Sequence, residues 1–401
     1  VWRHEINYIF GAIVSKNIIF CADGTWNNPV DEPGLTSTKP NHSSNVFKLF
    51  TLLDGRMVSK TKFEDFAGEI LEREKKLAAD TTLQIVKYIN GVGNAQNRIQ
   101  ELIGGGFGAG LIKRIVRGYT FISRNYEPGD KVHIIGFSRG AYTARALAGL
   151  IASQGLLANK FPRGDAESYK LGAQAWYRYR KAGADQRNVF AQLAEAVQDL
   201  PSFLNSKSIK ESDFIRDVDI ATVAVWDTVG SLGIPEYNAV NNALGDAFRF
   251  ADIKLSTKVG HGFHALALDE QRLLFTPTFW EKAPNVTQFV FPGAHSDVGG
   301  GYPTQDGESG LSDGALLWMV EQLAANGVLF SDDVASIKPD ATAPAHKEWD
   351  RIAVTGLGIR KFPSNLGVTA HQSVADRKKA VAVVHDIGEA PRKYNPANWP
   401  S

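Results

Sequence analysis

Residues 131–152 read KVHIIGFSRGAYTARALAGLIA. A short apolar run leads into Gly136-Phe137-Ser138-Arg139-Gly140, and an alanine-rich stretch follows. The run predicts a buried strand and the stretch a helix, so G-x-S-x-G falls between them. The pentapeptide alone is a weak pattern, and the strand–turn–helix setting gives it chemical meaning. Glycines on both flanks allow a turn sharp enough to hold Ser138 above the sheet edge. A serine there also meets the N–H groups and dipole of a helix N-terminus, which favour developing negative charge. A glycine-rich turn with a capping serine is the bland alternative. The context favours a nucleophilic serine, and with it a serine hydrolase.

Outward from this stretch, apolar runs of strand length alternate with helical patterns. Asn17–Ala22, Leu83–Asn90, Ala221–Trp226, Phe263–Leu268 and Val286–Phe291 are the other candidate strands. Leu111, Ile112, Ile115, Val116, Tyr119 and Ile122 repeat at helical spacing and predict a helix with one face on a sheet. Helices are also expected around 45–54, 139–152 and 311–326. The alternation predicts an α/β-hydrolase-like fold, a mainly parallel sheet with helices on both faces. In such sheets active groups gather at the carboxyl ends of strands. Residues 155–216, polar and helical in character, are expected to form a helical cap insertion. The expected organisation is an N-terminal extension (1–15), a catalytic domain (16–327) and an irregular, proline-containing C-terminal region packed on the core (328–401).

Bulk composition narrows the function. The chain has 401 residues, 43% of them hydrophobic and 22% charged, as a folded soluble protein does. A net charge of +1 argues against a dedicated nucleic-acid surface. Cys21 is the sole cysteine, so no intrachain disulfide can form. No run of 18 apolar residues predicts a membrane span. Tyr8–Val14 is apolar but short, and Glu5 spoils the basic start that a secretory signal needs. A cytoplasmic location is expected, with export by a specialised system left open.

A serine nucleophile needs a base, and that base needs an acid to hold it. The order Ser…Asp/Glu…His is expected here. Six histidines follow Ser138. Of these His295 leaves a strand end into the glycine-rich GAHSDVGGGY, which can return the imidazole over the sheet edge. His264 lies inside an apolar strand, where a core role is more usual, and His371 is a weaker competitor. Asp227 and Asp269 both end strands after the nucleophile; Asp227, in the tight VWDTVGS turn, is favoured as the acid and Asp269 is the alternative. For the oxyanion, the Arg139 backbone N–H is one expected donor, and Gly24 or Thr25 in the DGTW loop supplies the other.

Other patterns carry less. Gly104–Gly110 (GGGFGAG) matches a dinucleotide fingerprint, but no convincing strand precedes it and no G-K-[ST] follows, so a helix entry is the better reading. Neither C-x-x-C nor H-E-x-x-H occurs, so no metal site is expected, and no cofactor is required. Arg139 and Arg145 suit an anionic substrate or a structural ion pair. Trp176-Tyr177-Arg178-Tyr179-Arg180 suggests contact with anionic headgroups or, slightly better, a solvated helix face.

DGTWNN (23–28), GFSRGAYTARALAG (136–149), VWDTVGSLG (225–233), HALALDEQR (264–272) and PGAHSDVGGGY (292–302) occur in this order. Over about residues 16–325 the chain thereby resembles an α/β-hydrolase family of largely uncharacterised bacterial and fungal proteins that includes type VI secretion phospholipase effectors. The resemblance implies Ser138 as nucleophile, Asp227 as acid and His295 as base. It also implies lipase or phospholipase activity, so a lipid acyl ester is the expected partner, with transient contact at a membrane surface. A soluble ester or thioester substrate and a non-catalytic binding role are the alternatives.

Overall fold

The computed structural model describes residues 15–24, 42–65, 68–91, 106–158, 165–181, 209–229, 253–304, 307–351, 356–396 and 398. In chain order its strands are β1 (Asn17–Ala22), β2 (Arg56–Asp65), β3 (Gly68–Ala78), β4 (Thr82–Ile89) and β5 (Lys131–Phe137). Next come the two-residue β6 (Leu156–Leu157) and β7 (Phe214–Ile215), then β8 (Asp219–Trp226), β9 (Val259–Ala267), β10 (Val286–Phe291) and β11 (Val368–Ala370). The helices are α1 (Asn45–Leu52), α2 (Gly106–Asn125), α3 (Arg139–Gln154), α4 (Asp165–Lys181), α5 (His295–Gly299), α6 (Gly310–Ala325), α7 (Glu348–Arg351) and α8 (Gln372–Lys379).

Among the described residues one sheet runs in the order β11-β10-β9-β8-β5-β1-β4-β3-β2. Its seven strands from β11 to β4 pair in parallel, whereas β3 and β2 extend the edge antiparallel. The fold is α/β, as the alternation predicts. Alternate residues of β1 divide its two faces: Ile18, Phe20 and Ala22 enter one core, Ile19 and Cys21 the other. The first core receives α2 and α3, and all six periodic positions of α2 lie in it. The second receives α1 and α6. Gly106–Gly110 forms the opening of α2, in keeping with a helix entry.

One irregularity sits between β5 and β8. Val132 pairs with Ile220 but His133 pairs with Thr222, leaving Ala221 as an extra residue, and the register then runs to Phe137 opposite Trp226.

The β2–β3 pair was not expected from the sequence. Its residues are largely charged, and ion pairs rather than apolar alternation tie it to the sheet. Glu74 lies opposite Lys87 in the register, and Lys87 Nζ reaches Glu74 at 3.2 Å and Glu72 at 2.7 Å. Burial raises the Glu72 pKa, but the Arg117 and Lys87 charges outweigh it and hold the carboxyl below its usual range.

The expected cap is partly described. α4 packs on the first core, with Trp176 buried and Tyr177 and Tyr179 half-buried against it. Arg180 is buried, and Arg178 donates to the Ile209 carbonyl at 2.9 Å. The aromatic–basic cluster thus serves packing rather than a solvated or headgroup-facing surface; residues 159–164 and 182–208 of the expected cap lie outside the described residues. Of the expected N-terminal extension, residues 1–14 lie outside them too. The C-terminal region adds β11 to the sheet and lines a third core, where Val368, Val374, Val383 and Tyr394 meet Leu266, Leu268 and Val290.

The elbow after β5 depends on close backbone approach. A Cβ built on Gly140 would stand 2.1 Å from the Ala22 carbonyl oxygen and 2.5 Å from that of Asp23. Both obstacles are backbone and cannot swing aside. Gly140→Ala is therefore expected to destabilise the chain by about 2 kcal/mol or more, read as a lowered midpoint in thermal or urea unfolding.

Candidate active site

β5 ends at Phe137, and Ser138 is the N-cap of α3 with φ 56° and ψ −118°. β8 ends at Trp226, and Asp227 follows with φ 36°. Among the described residues these are the two non-glycine positions with positive φ. Such conformations cost of order 1–3 kcal/mol each and persist where the surroundings over-determine them. Here the surroundings are backbone: Ser138 N–H donates to the Trp226 carbonyl at 3.0 Å, and Asp227 N–H to the Ala265 carbonyl at 2.7 Å. The ladder that joins the strands thus also pins the two strained residues at their ends.

His295 opens α5 immediately beyond β10. Its Nδ1 lies 2.5 Å from Asp227 Oδ2, and both side chains are buried. A buried carboxylate at that distance accepts the Nδ1–H and leaves Nε2 as the acceptor on the ring. Two aromatic rings hold the imidazole: Phe137 at 4.6 Å between centroids and Phe275, edge-on, at 4.8 Å. Because Phe137 precedes Ser138, this packing sets the imidazole beside the elbow. Ser138 is 7% exposed and His295 5%.

Burial lowers the His295 pKa, outweighing Asp227 and Glu270, whose charges act to raise it. Burial alone would raise that of Asp227, but the Arg360 guanidinium and the His295 ring together outweigh it, and the group stays far below the usual carboxylate range. An ionised acid beside a neutral, buried imidazole is an arrangement suited to general-base chemistry.

The other titratable groups near this edge have separate duties. Asp269 does not reach the His295 ring; its Oδ2 accepts from Gly293 N–H and from Tyr394 Oη, both at 2.7 Å. Burial pushes its pKa up to about 6. Asp297 accepts from Ala294 N–H at 2.9 Å and from His346 Nδ1 at 2.7 Å. His264 is buried in β9, accepting the Thr228 N–H at 3.1 Å, and burial lowers its pKa to about 3. His371 caps α8 and stacks on Phe291. Arg145 is buried, donating to the Thr278 carbonyl at 2.5 Å and lying 4.7 Å over the Trp280 ring, so its role is structural.

At the expected oxyanion loop, a Cβ on Gly24 would stand 3.3 Å from Ser138 Cβ, so this turn adjoins the serine. Its N–H donates to its neighbour Asp23 Oδ1 at 2.7 Å, while Asp23 Oδ2 accepts from Tyr88 Oη at 2.6 Å. Arg139 is the first residue of α3. Thr25 lies outside the described residues.

Two supports are absent from the sequence expectations. Glu270 Oε2 accepts the His295 N–H at 3.1 Å, and Glu270 is itself paired with Arg272, whose guanidinium covers the Phe275 ring. Arg360 grips Asp227 through two nitrogens. The HALALDEQR stretch carried a signal for the first, since a charged run at a strand end must find buried partners. Nothing in the sequence ties Arg360 to Asp227. Among the described residues no group of three or more His, Cys, Asp or Glu is arranged to hold a metal ion.

Residues 16–322 match the sequence model of the catalytic domain of the Tle1-like phospholipase effectors of type VI secretion systems. An uncharacterised protein of Saccharomyces cerevisiae is 29% identical over 282 residues, which are 65% of this chain and 33% of that one. A crystal structure of an uncharacterised Pseudomonas aeruginosa protein superposes on 81% of this chain and 49% of its own, at 16% identity and TM-score 0.42. A Tle1 effector bound to the VgrG spike of a type VI secretion system covers 73% and 52%, at 19% identity and TM-score 0.37. The chain spans a third of the yeast relative and about half of each solved chain. It belongs to the Tle1-like catalytic-domain family.

Proposed function

We propose that this member of the Tle1-like family is a serine-dependent phospholipase that cleaves carboxylic acyl esters. Ser138 Oγ attacks the ester carbonyl carbon as His295 Nε2 takes its proton, and Asp227 holds the imidazole in the tautomer this requires. The Arg139 amide at the N-terminus of α3 stabilises the oxyanion, and the Gly24–Thr25 turn beside Ser138 supplies a second donor once the Gly24 N–H leaves Asp23. Collapse of the intermediate expels the alcohol, which takes the proton back from His295, and water then releases the acid from Ser138. The observation that carries this reading is the pairing of a strained serine after β5 with a 2.5 Å His295–Asp227 contact over the adjoining strand ends.

The family match supports a lipid substrate, and a surface beside the site suits it. Leu273, Leu357 and Ile359 are each more than half exposed. Phe275, which touches His295, is two residues from Leu273, and Arg360, which grips Asp227, follows Ile359. Clustered exposed apolar side chains at the edge of a site suit an acyl chain or a bilayer surface. Among the described residues no helix is long and apolar enough to cross a membrane.

The test is fatty-acid release from mixed phospholipid vesicles by the purified protein and by Ser138→Ala. Release by the wild type alone is expected, and hydrolysis of soluble short-chain esters without vesicle hydrolysis would move the substrate to small esters. Replacing Leu357 and Ile359 together with Gln is expected to slow vesicle hydrolysis about fivefold or more, while turnover of a soluble ester stays within about twofold.

A further inference from the structure

Arg360 is buried, and its guanidinium is used at four acceptors. Nη1 donates to Asp227 Oδ1 at 2.6 Å and to the Ala267 carbonyl at 2.8 Å; Nη2 donates to Asp227 Oδ2 at 2.9 Å and to the Phe275 carbonyl at 2.5 Å. Each carboxylate oxygen thus receives one arm of a planar fork, which fixes the plane of the acid as well as its place. Oδ2 is the oxygen that meets His295 Nδ1. The Phe275 carbonyl belongs to the residue whose ring rests against His295, so one cation joins the acid and the wall of the base.

The segment that delivers Arg360 is itself held down. Gly358 N–H donates to the Gln271 carbonyl at 2.8 Å, Leu273 N–H to the Gly356 carbonyl at 3.3 Å, and Arg272 forms a bridge with Leu357. Along this extended strap Leu357 and Ile359 face solvent while Arg360 turns inward, as a two-residue period requires. Arg360 lies beyond residues 16–322, the span that carries the family match.

We propose that Arg360 is a positioning residue of the hydrolysis, holding Asp227 in the orientation that serves His295 and setting how readily His295 takes a proton. This rests on the reading of Ser138, His295 and Asp227 as a triad. A full positive charge on the far side of the acid offsets part of the carboxylate's pull on the imidazolium. Among the described residues the other charged and titratable groups facing the pair are Glu270 on the His295 amide, Arg272 on Glu270, and His264 behind Thr228. Arg360 alone among them contacts the acid by both oxygens.

The test uses the full chain and the rate of Ser138 acylation by a fluorophosphonate as a function of pH, which reads the base directly. In the wild type the acid-limb midpoint is expected below 6.5, because burial favours the neutral ring and a base with a lowered pKa stays active to lower pH. R360Q is expected to move that midpoint up by about one pH unit, since losing the cation stabilises the imidazolium, and to lower the plateau about tenfold. R360K keeps the charge without the fork, so its midpoint stays near the wild type while its plateau falls. Circular dichroism establishes that each variant is folded. If R360Q does not fold, R360K decides, and a wild-type plateau in it overturns the proposal. Folded R360Q with an unshifted midpoint also overturns it, leaving a merely structural ion pair. A wild type that is not labelled at Ser138 would instead remove the triad reading, and Arg360's role with it.

Discussion

Ser138→Ala is expected to lower ester turnover about a thousandfold or more while leaving the fold intact. The alanine keeps the backbone strained, so its thermal midpoint should match that of the wild type. Ser138→Gly loses the same activity but relieves the positive φ, and is expected to be more stable than Ser138→Ala by about 1 kcal/mol. In a chain of this size that is a rise in thermal midpoint of about 1–2 °C. A glycine variant no more stable than the alanine would mean that the φ of 56° stores no strain. Turnover surviving in both variants would sink the assignment of Ser138 as nucleophile.

The second large effect is at Asp227. Its carboxylate accepts from His295, from the Ala267 N–H at 3.0 Å and from Arg360. Asp227→Asn removes the charge that holds the imidazole and leaves a buried guanidinium without its counter-ion. Turnover is expected to fall about 10³- to 10⁴-fold, with a loss of about 3 kcal/mol in stability. Asp269→Asn should leave turnover within about tenfold, because that group meets Gly293 and Tyr394 rather than the imidazole.

Their pH dependence has opposite signs. Asp227 is depressed, so its contribution is present above the unfolded pKa and is lost as pH falls towards the folded value. Asp269 is raised to about 6, so the folded state favours its proton and pays a growing penalty as pH rises from about 4 to 6. The midpoint of Asp269→Asn relative to the wild type should therefore improve over that interval. A difference independent of pH would show that Asp269 does not titrate in it.

The contrast between what could and could not be read from the chain has a physical basis. β1, β5, β8 and β9 were legible because both of their faces are buried over most of their length, which makes a strand a mostly apolar run. The elbow was legible because its glycines are demanded by backbone contacts such as that of Gly140 with Ala22. β2 and β3 were not, because both are rich in charged residues and ion pairs from β3 to Lys87 of β4 replace the apolar pattern that marks a strand. The cluster at 176–180 misled because an arginine pointing at a carbonyl or ring reads the same in sequence as one in solvent. Arg360 left no local trace: 133 residues separate it from Asp227, and a lone arginine in an irregular stretch has no period to betray it.

The extra residue in β8 works as a phase changer for the whole catalytic edge. Before Ala221, Ile220 faces the first core; after it, Val223 and Val225 do, so an even-numbered face has become an odd-numbered one. A strand without that slip would turn Trp226 out of the second core, where it now packs, and end with its acid on the wrong beat relative to Ser138. One alanine at the far end of β8 therefore keeps time for chemistry six residues downstream.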